Sequence, residues 1–177
     1  MYSINFEEIK KHIEKELTPE RMKHTLGVIS EAEKLAERYG VDKEKAKLAA
    51  LCHDMARCMP VYSIELAHAK MAADLLKCEW GIEDPDVLNA VTYHTTGRPG
   101  MSLLEKIIYL ADAIEPGRNY PGVGRLRKLA YEDLDKACAE VMRQTIEYVK
   151  HKGCEIDDNT IKAMEELLAK ERSADEQ

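Results

Sequence analysis

The sequence predicts an all-α fold, and three observations carry that expectation. Apolar residues recur at helical spacing nearly everywhere, no stretch alternates convincingly as a strand, and only one Phe and one Trp are present. At 177 residues, 45% of them apolar, the chain sits near the usual length of one domain and can bury a core without disulfide or metal staples. A single helical bundle over 1–177 is therefore expected, with its motif-bearing core at about 18–150.

The helices follow in order. One is expected at about 5–17. From Arg21 to Tyr39 the positions Met22, Leu26, Ile29, Ala32, Leu35, Ala36 and Tyr39 fall on three- and four-residue steps. Thr18-Pro19 supplies an N-cap followed by proline at the first helical position, and Gly40 closes the helix. Asp42 caps the next segment, which runs through Ala46, Ala49, Ala50 and Cys52 to the adjacent pair His53-Asp54. Further helices are expected at about 64–78, 85–94, 102–114, 133–151 and 158–171. Connectors rich in Pro or Gly fall at Cys58–Ser63, Gly97–Gly100 and Pro116–Gly124, too short to link separate domains. The polar tail from about 172 to 177 is expected to fray.

Composition narrows the function classes. The five cysteines, Cys52, Cys58, Cys78, Cys138 and Cys154, are odd in number and show no C-x-x-C spacing. A disulfide or zinc framework is not expected, and a reducing cytoplasm fits best. The start carries Glu7, Glu8, Glu14 and Glu16 among its apolar residues, so no secretory signal is expected. No run approaches the roughly 20 apolar residues of a membrane span. A formal net charge of -7 argues against a sequence-independent nucleic-acid binder, which needs a positive surface to release counterions from phosphate. Small anionic substrates remain compatible where cations are concentrated locally. The sequence leaves a homodimer open.

The residues that carry chemistry are His24, His53, Asp54, His68, His94 and Asp112. A divalent ion needs neutral imidazoles and carboxylates converging from different elements, and this set offers both from five segments. Adjacent helical residues diverge by about 100°. His53 and Asp54 can therefore serve one metal only where the helix end faces it, unless the carboxylate bridges two ions. An isolated His-Asp pair is a common dipeptide with ordinary surface or capping roles, so context decides its weight. The apolar run Leu48-Ala49-Ala50-Leu51-Cys52 leads directly into the pair, and Asp112 sits within Ile107-Ile108-Tyr109-Leu110-Ala111-Asp112-Ala113. Acids embedded in core helices need a partner. A metal is one, and a structural Arg or a helix N-terminus is the ordinary alternative.

At these residues the chain resembles the HD-domain metal-dependent phosphohydrolases. Arg21-x-x-His24, His94-Thr95-Thr96-Gly97 and the run IIYLADAIEPGRNYPGVGRLR from Ile107 to Arg127 look like the YqeK-type proteins, the symmetrical bis(5'-nucleosyl)-tetraphosphatases. The likeness covers roughly 18–150, and its ADAIEPGRNYPGV stretch is far more specific than the His-Asp pair. It implies an all-α bundle holding two divalent ions through His24, His53, Asp54, His68, His94 and Asp112, with Asp54 as the bridge. Iron is the first expectation, although manganese, cobalt, nickel or zinc also suit such donors. Two departures stand out. The segment between Asp54 and His68 is shorter than is usual, so His68 is either a ligand or a polar residue on an amphipathic helix. Arg57 stands where related proteins commonly carry Lys, and would grip phosphate as a fork.

The implied reaction is hydrolysis of diadenosine tetraphosphate to two ADP by a metal-activated hydroxide, with metals about 3.5–4 Å apart. ADP is a leaving group that needs little help from a general acid. His53, Asp54 and Arg57 are the expected catalytic residues. Arg21, Thr95, Gly97, Arg118, Tyr120 and Arg125 are the expected substrate contacts, and a plain turn or a solvated charge explains the glycine and the outer arginines equally well. Cys52 reads as a small buried side chain, and His12 and His151 read as surface residues. The alternatives are an HD phosphohydrolase of deoxynucleotides or cyclic dinucleotides, and a nucleotide-binding regulator without turnover.

Overall fold

A computed structural model describes residues 6–58 and 66–175, and those residues form nine helices with no strand among them. They are α1 (Phe6–Glu16), α2 (Pro19–Tyr39), α3 (Lys43–Cys52), α4 (Ala67–Trp80), α5 (Pro85–Thr92), α6 (Leu103–Ile114), α7 (Val123–Glu132), α8 (Leu134–His151) and α9 (Asp158–Asp175). The expected start of a helix at 64 and the connector beyond Cys58 lie outside the described residues, as does the end of the tail.

Local chemistry sets most helix ends. Thr18 accepts the Arg21 amide, with Pro19 opening α2, and Gly40 ends that helix at φ 69°, a left-handed conformation that glycine adopts without a Cβ clash. Asp42 accepts two amides at the start of α3, and Asp84 does the same for α5. Ser102 and Glu105 form a reciprocal capping box on α6.

The helix α6 is the axis of the bundle. Residues Leu104 to Ala111 and Ile114 are all buried, and the helix contacts α2, α3, α5, α7 and α8. A helix that is covered on all sides can be apolar all round, which is why its sequence shows a nearly continuous apolar run. Its two buried charges are paired. Arg98 grips Glu105 at 2.7 and 2.6 Å, and Lys106 meets Asp135 at 2.5 Å. Around this axis α2, α3 and α5 pack together on one side, while α7, α8 and α9 form a layer on the other.

Two elements differ from the sequence expectation. α7 lies partly in what reads as a Pro- and Gly-bearing connector, yet Val123, Leu126 and Ala130 bury one helical face. Burial of that face outweighs the low helix propensity of Gly124. α9 runs to Asp175, beyond the expected helix end at about 171. Glu171 is tied to Lys136 on α8 at 2.6 Å, and the Ser173 hydroxyl donates to the Ala169 carbonyl.

Candidate metal centre and its surroundings

The helices bring the six candidate ligands to one end of the bundle. His53 is the residue following α3, His94 stands just beyond α5, and Asp112 occupies the last turn of α6. His24 comes from the second turn of α2 and His68 from the start of α4. Helix C-termini carry partial negative charge, so three of these positions already favour a cation.

His53 and His94 are held by the same device. In each, Nδ1 donates to the backbone carbonyl three residues earlier, Ala50 or Val91, at 2.7 Å. That bond leaves Nε2 as the acceptor and fixes the ring. His53 is fully buried, and burial lowers its pKa to about 4, so its imidazole is neutral at pH 7.

Asp54 stands between two groups. Its Oδ2 lies 3.6 Å from His53 Nε2, while Oδ1 lies 3.3 Å from His68 Nε2 and 3.7 Å from His94 Nε2. Burial alone would raise its pKa, but the contacts with His68 and His94 outweigh burial and hold it well below the usual carboxylate range. Arg21 adds an ion pair to Oδ2 at 2.8 Å. On the far side of His53, His24 Nε2 lies 3.0 Å from Asp112 Oδ1. Burial lowers the His24 pKa, yet Asp112 and Glu115 together raise it. Asp112 is likewise held low by His24 against the effect of burial.

The donor set fits divalent metal ions. His24, His53 and Asp112 present ligand atoms within 4.8 Å of one another, and so do His53, Asp54 and His94. Nε2 of His53 is buried without a hydrogen-bonding partner, and Nε2 of His24 has only the Asp112 carboxylate beside it. Buried polar atoms are ordinarily satisfied, and the lone pair of His53 Nε2, facing the Asp54 carboxylate with no donor beside it, suits a metal ion. Each Nε2 has one lone pair and serves one ion. A carboxylate can serve two.

Further residues orient this set. Arg118 grips Asp112 twice, donating from Nη2 to Oδ1 at 2.7 Å and from Nε to the main-chain carbonyl at 2.9 Å. Arg57 Nη1 donates to His68 Nδ1 at 2.9 Å. Arg57, His68 and Thr95 all border a cleft of about 690 Å3 that runs towards the end of α8.

The remaining expected substrate contacts have partners of their own. Gly97, at φ 66°, packs where an added Cβ would come 2.5 Å from Met142 Cε, and it does not border the cleft. Tyr120 donates its hydroxyl to the Ala113 carbonyl and pins the loop after α6. Arg125 is exposed and pairs with Glu140 on α8 at 2.6 Å.

Two residues went unread in the sequence. Glu115 is buried at the end of α6 and places Oε1 3.2 Å from His24 Nδ1, while Oε2 accepts the Gly117 amide. Gly27 makes the room, because a Cβ there would lie 2.4 Å from Glu115 Oε2. The signals were present: Glu115 follows an apolar helix as Asp112 does, and a glycine inside a helix marks close packing.

Residues 21–117 match the HD domain family. A symmetrical bis(5'-nucleosyl)-tetraphosphatase from Bacillus subtilis is 41% identical over 168 residues, covering 85% of this chain and 90% of that protein. A protein of the same name from Halalkalibacterium halodurans is 41% identical over 174 residues, covering 88% of this chain and 93% of the other. Among solved structures, an HD superfamily hydrolase from Clostridium acetobutylicum, described as involved in NAD metabolism, superposes with a TM-score of 0.87 at 41% identity, covering 96% of this chain and 99% of its own. This chain belongs to the HD-domain metal phosphohydrolases and is closely related to the symmetrical bis(5'-nucleosyl)-tetraphosphatases.

Proposed function

We propose that this protein hydrolyses dinucleoside tetraphosphates symmetrically, taking diadenosine tetraphosphate to two ADP. The observation that carries the reading is the placement of Asp54, whose two oxygens face different histidine groups, His53 on one side and His68 with His94 on the other. A carboxylate so placed suits a bridge between two ions: His24, His53 and Asp112 would hold one and His94 the other, and His68 would join the second on the tautomer in which its Nδ1 no longer accepts from Arg57. Such ions, when bound, supply a water acidic enough to attack near neutral pH and positive charge against the phosphoryl oxygens.

The chain's own residues do the remainder. Arg57 stands at the mouth of the cleft beside His68, where a guanidinium fork can hold a phosphate edge. Arg21 and Arg118 hold Asp54 and Asp112 in place, which keeps the carboxylates ionised and aimed. Water attacks an inner phosphorus and gives up its proton to solvent, the bond from that phosphorus to the central bridging oxygen breaks, and the electron pair leaves on the oxygen of the second ADP. Because ADP is a stable anion, no side chain must donate a proton to it. Catalysis of this kind is mostly positioning and electrostatics.

Iron is the proposed metal, consistent with a mixed imidazole and carboxylate set without thiolate. A reducing cytoplasmic setting is supported by five unpaired cysteines. No helix among the described residues is long and apolar enough to cross a membrane. The net charge of -7 supports a small-molecule substrate over nucleic acid.

The test is product analysis after incubating metal-loaded protein with diadenosine tetraphosphate. ADP as the sole nucleotide product is expected. AMP with ATP, or no cleavage while deoxynucleotides or cyclic dinucleotides are consumed, would replace this substrate with another of the same superfamily.

A further inference from the structure

The end of α6, the helix that supplies Asp112, is closed by side chains from further along the chain. An α-helix leaves its last four carbonyls without partners of its own. Here these belong to Asp112, Ala113, Ile114 and Glu115, and each meets a side-chain donor. Arg118 Nε reaches the first and the Tyr120 hydroxyl the second, both at 2.9 Å. Arg127, standing on α7, donates from Nε to the Ile114 carbonyl at 2.8 Å and from Nη2 to the Glu115 carbonyl at 2.7 Å. Nη2 also donates to the Arg118 carbonyl at 2.8 Å.

One guanidinium thus gathers three carbonyls of the short loop that follows α6. The two residues held on Nη2, Glu115 and Arg118, are the two whose side chains reach the metal centre from this loop. Glu115 Oε1 lies 3.2 Å from His24 Nδ1, and Arg118 Nη2 donates to Asp112 Oδ1 at 2.7 Å. Between them the chain is close-packed. The Arg118 amide donates to the Glu115 carbonyl at 2.9 Å, and a Cβ at Gly117 would lie 3.0 Å from both carboxylate oxygens of Glu115. A shift of this backbone therefore moves both side chains.

These three acceptors are main-chain carbonyls, and Arg127 does not border the cleft at Arg57 and His68. Its influence on the metal centre passes through the loop. Arg125, two residues earlier on the same helix, pairs instead with Glu140 at the surface. A lysine is no substitute for Arg127, because an ammonium is a point donor and these carbonyls are met from two nitrogens of a rigid fork. We propose that Arg127 is a positioning residue of the metal centre, which clamps the loop after α6 and so aims Glu115 at His24 and Arg118 at Asp112. Its effect on turnover rests on the function proposed above, whereas its effect on metal binding is read without substrate.

Titration of the metal-free protein with cobalt(II), whose visible absorption reports its ligand geometry, tests this. Arg127→Met is expected to weaken cobalt(II) binding about tenfold and to change the spectrum at saturation, as loss of a group that orients a metal ligand does. Arg127→Lys keeps the stem and the charge, is the milder change for folding, and is expected to weaken binding at least about threefold. Arg38→Ala removes an exposed arginine that donates to the Tyr131 carbonyl, and as the control it is expected to stay within about twofold. Glu115→Ala removes one of the two routes by which the clamp acts, so Arg127→Met added to it is expected to cost only about threefold more. With diadenosine tetraphosphate at saturating cobalt(II), Arg127→Met is expected to lower kcat about tenfold and to leave KM within about threefold.

Unchanged cobalt(II) affinity and spectrum in both Arg127 variants, with only the thermal midpoint lowered, would make Arg127 a fold-stabilising residue and overturn the proposal. An undiminished loss when Arg127→Met is added to Glu115→Ala would overturn it too. Failure of the wild type to cleave diadenosine tetraphosphate, with the cobalt(II) pattern intact, would sink the proposed function and leave the positioning role standing.

Discussion

Glu115 Oε1 lies 3.2 Å from His24 Nδ1, linking the end of α6 to α2 across 91 residues of sequence. A carboxylate on the remote nitrogen of a metal-ligating histidine fixes the tautomer and the ring orientation, and loss of such a partner typically costs 10- to 100-fold in metal affinity. Glu115 is held at both oxygens, so it cannot move aside cheaply for a new methyl group at Gly27. Gly27→Ala, which would ordinarily favour a helix interior, is expected to lower metal affinity at least about tenfold while the helical content stays unchanged. Metal titration beside circular dichroism checks this; unaltered affinity would show that Glu115 does not govern His24.

Asp54 is the only one of the six candidate ligands with an oxygen aimed at each histidine group. Asp54→Asn keeps its size and removes its charge. Turnover is expected to fall by about 100-fold or more, with a lower metal count per chain. Arg21→Ala removes only the ion pair on Oδ2, and a loss of about tenfold is expected, with the metal count preserved. Activity in Asp54→Asn within about twofold of wild type would end the bridging assignment.

The burial of His53 makes the metal-free protein sensitive to acid. Its pKa is about 4 when folded against an ordinary 6.5, so the unfolded chain takes up a proton first as pH falls. Its contribution is fully present above pH 6.5 and is lost progressively as pH falls towards 4. The loss is on the order of 3 kcal/mol for a shift of this size. Urea denaturation of chelator-treated protein from pH 7.5 to 4.5 should show a falling midpoint, and His53→Gln should flatten that fall. A pH-independent midpoint would contradict the buried neutral imidazole.

Arg118 and Arg125 lie seven residues apart and should behave oppositely. Arg118→Ala frees both the carboxylate and the carbonyl of Asp112, and turnover is expected to drop about 10- to 100-fold. Arg125 is 71% exposed and pairs with Glu140 at the surface. Arg125→Ala is expected to leave KM within about twofold and to change stability by less than about 1 kcal/mol. Steady-state kinetics on the two variants, with chemical denaturation of the second, decides the matter; a large KM increase in Arg125→Ala would place that residue in the substrate site.

By itself the sequence determined the helices and the polar residues they could not bury alone. Caps such as Thr18 and Asp42, the three- and four-residue apolar steps, and acids set into apolar helices act over one or two turns, so they are visible in a single stretch of chain. The likeness of the ADAIEPGRNYPGV stretch to a known family added the ligand set as an expectation, and the fold brings those six residues to one end of the bundle. Only the tertiary structure decided which partner each side chain meets. It formed α7 by burying Val123, Leu126 and Ala130, turned Gly97 towards Met142, gave Tyr120 the Ala113 carbonyl and sent Arg125 to Glu140. It also joined Glu115 to His24. Whether an acid finds a histidine, an arginine or solvent depends on how distant helices pack, and helical periodicity specifies a face but not the neighbour that covers it.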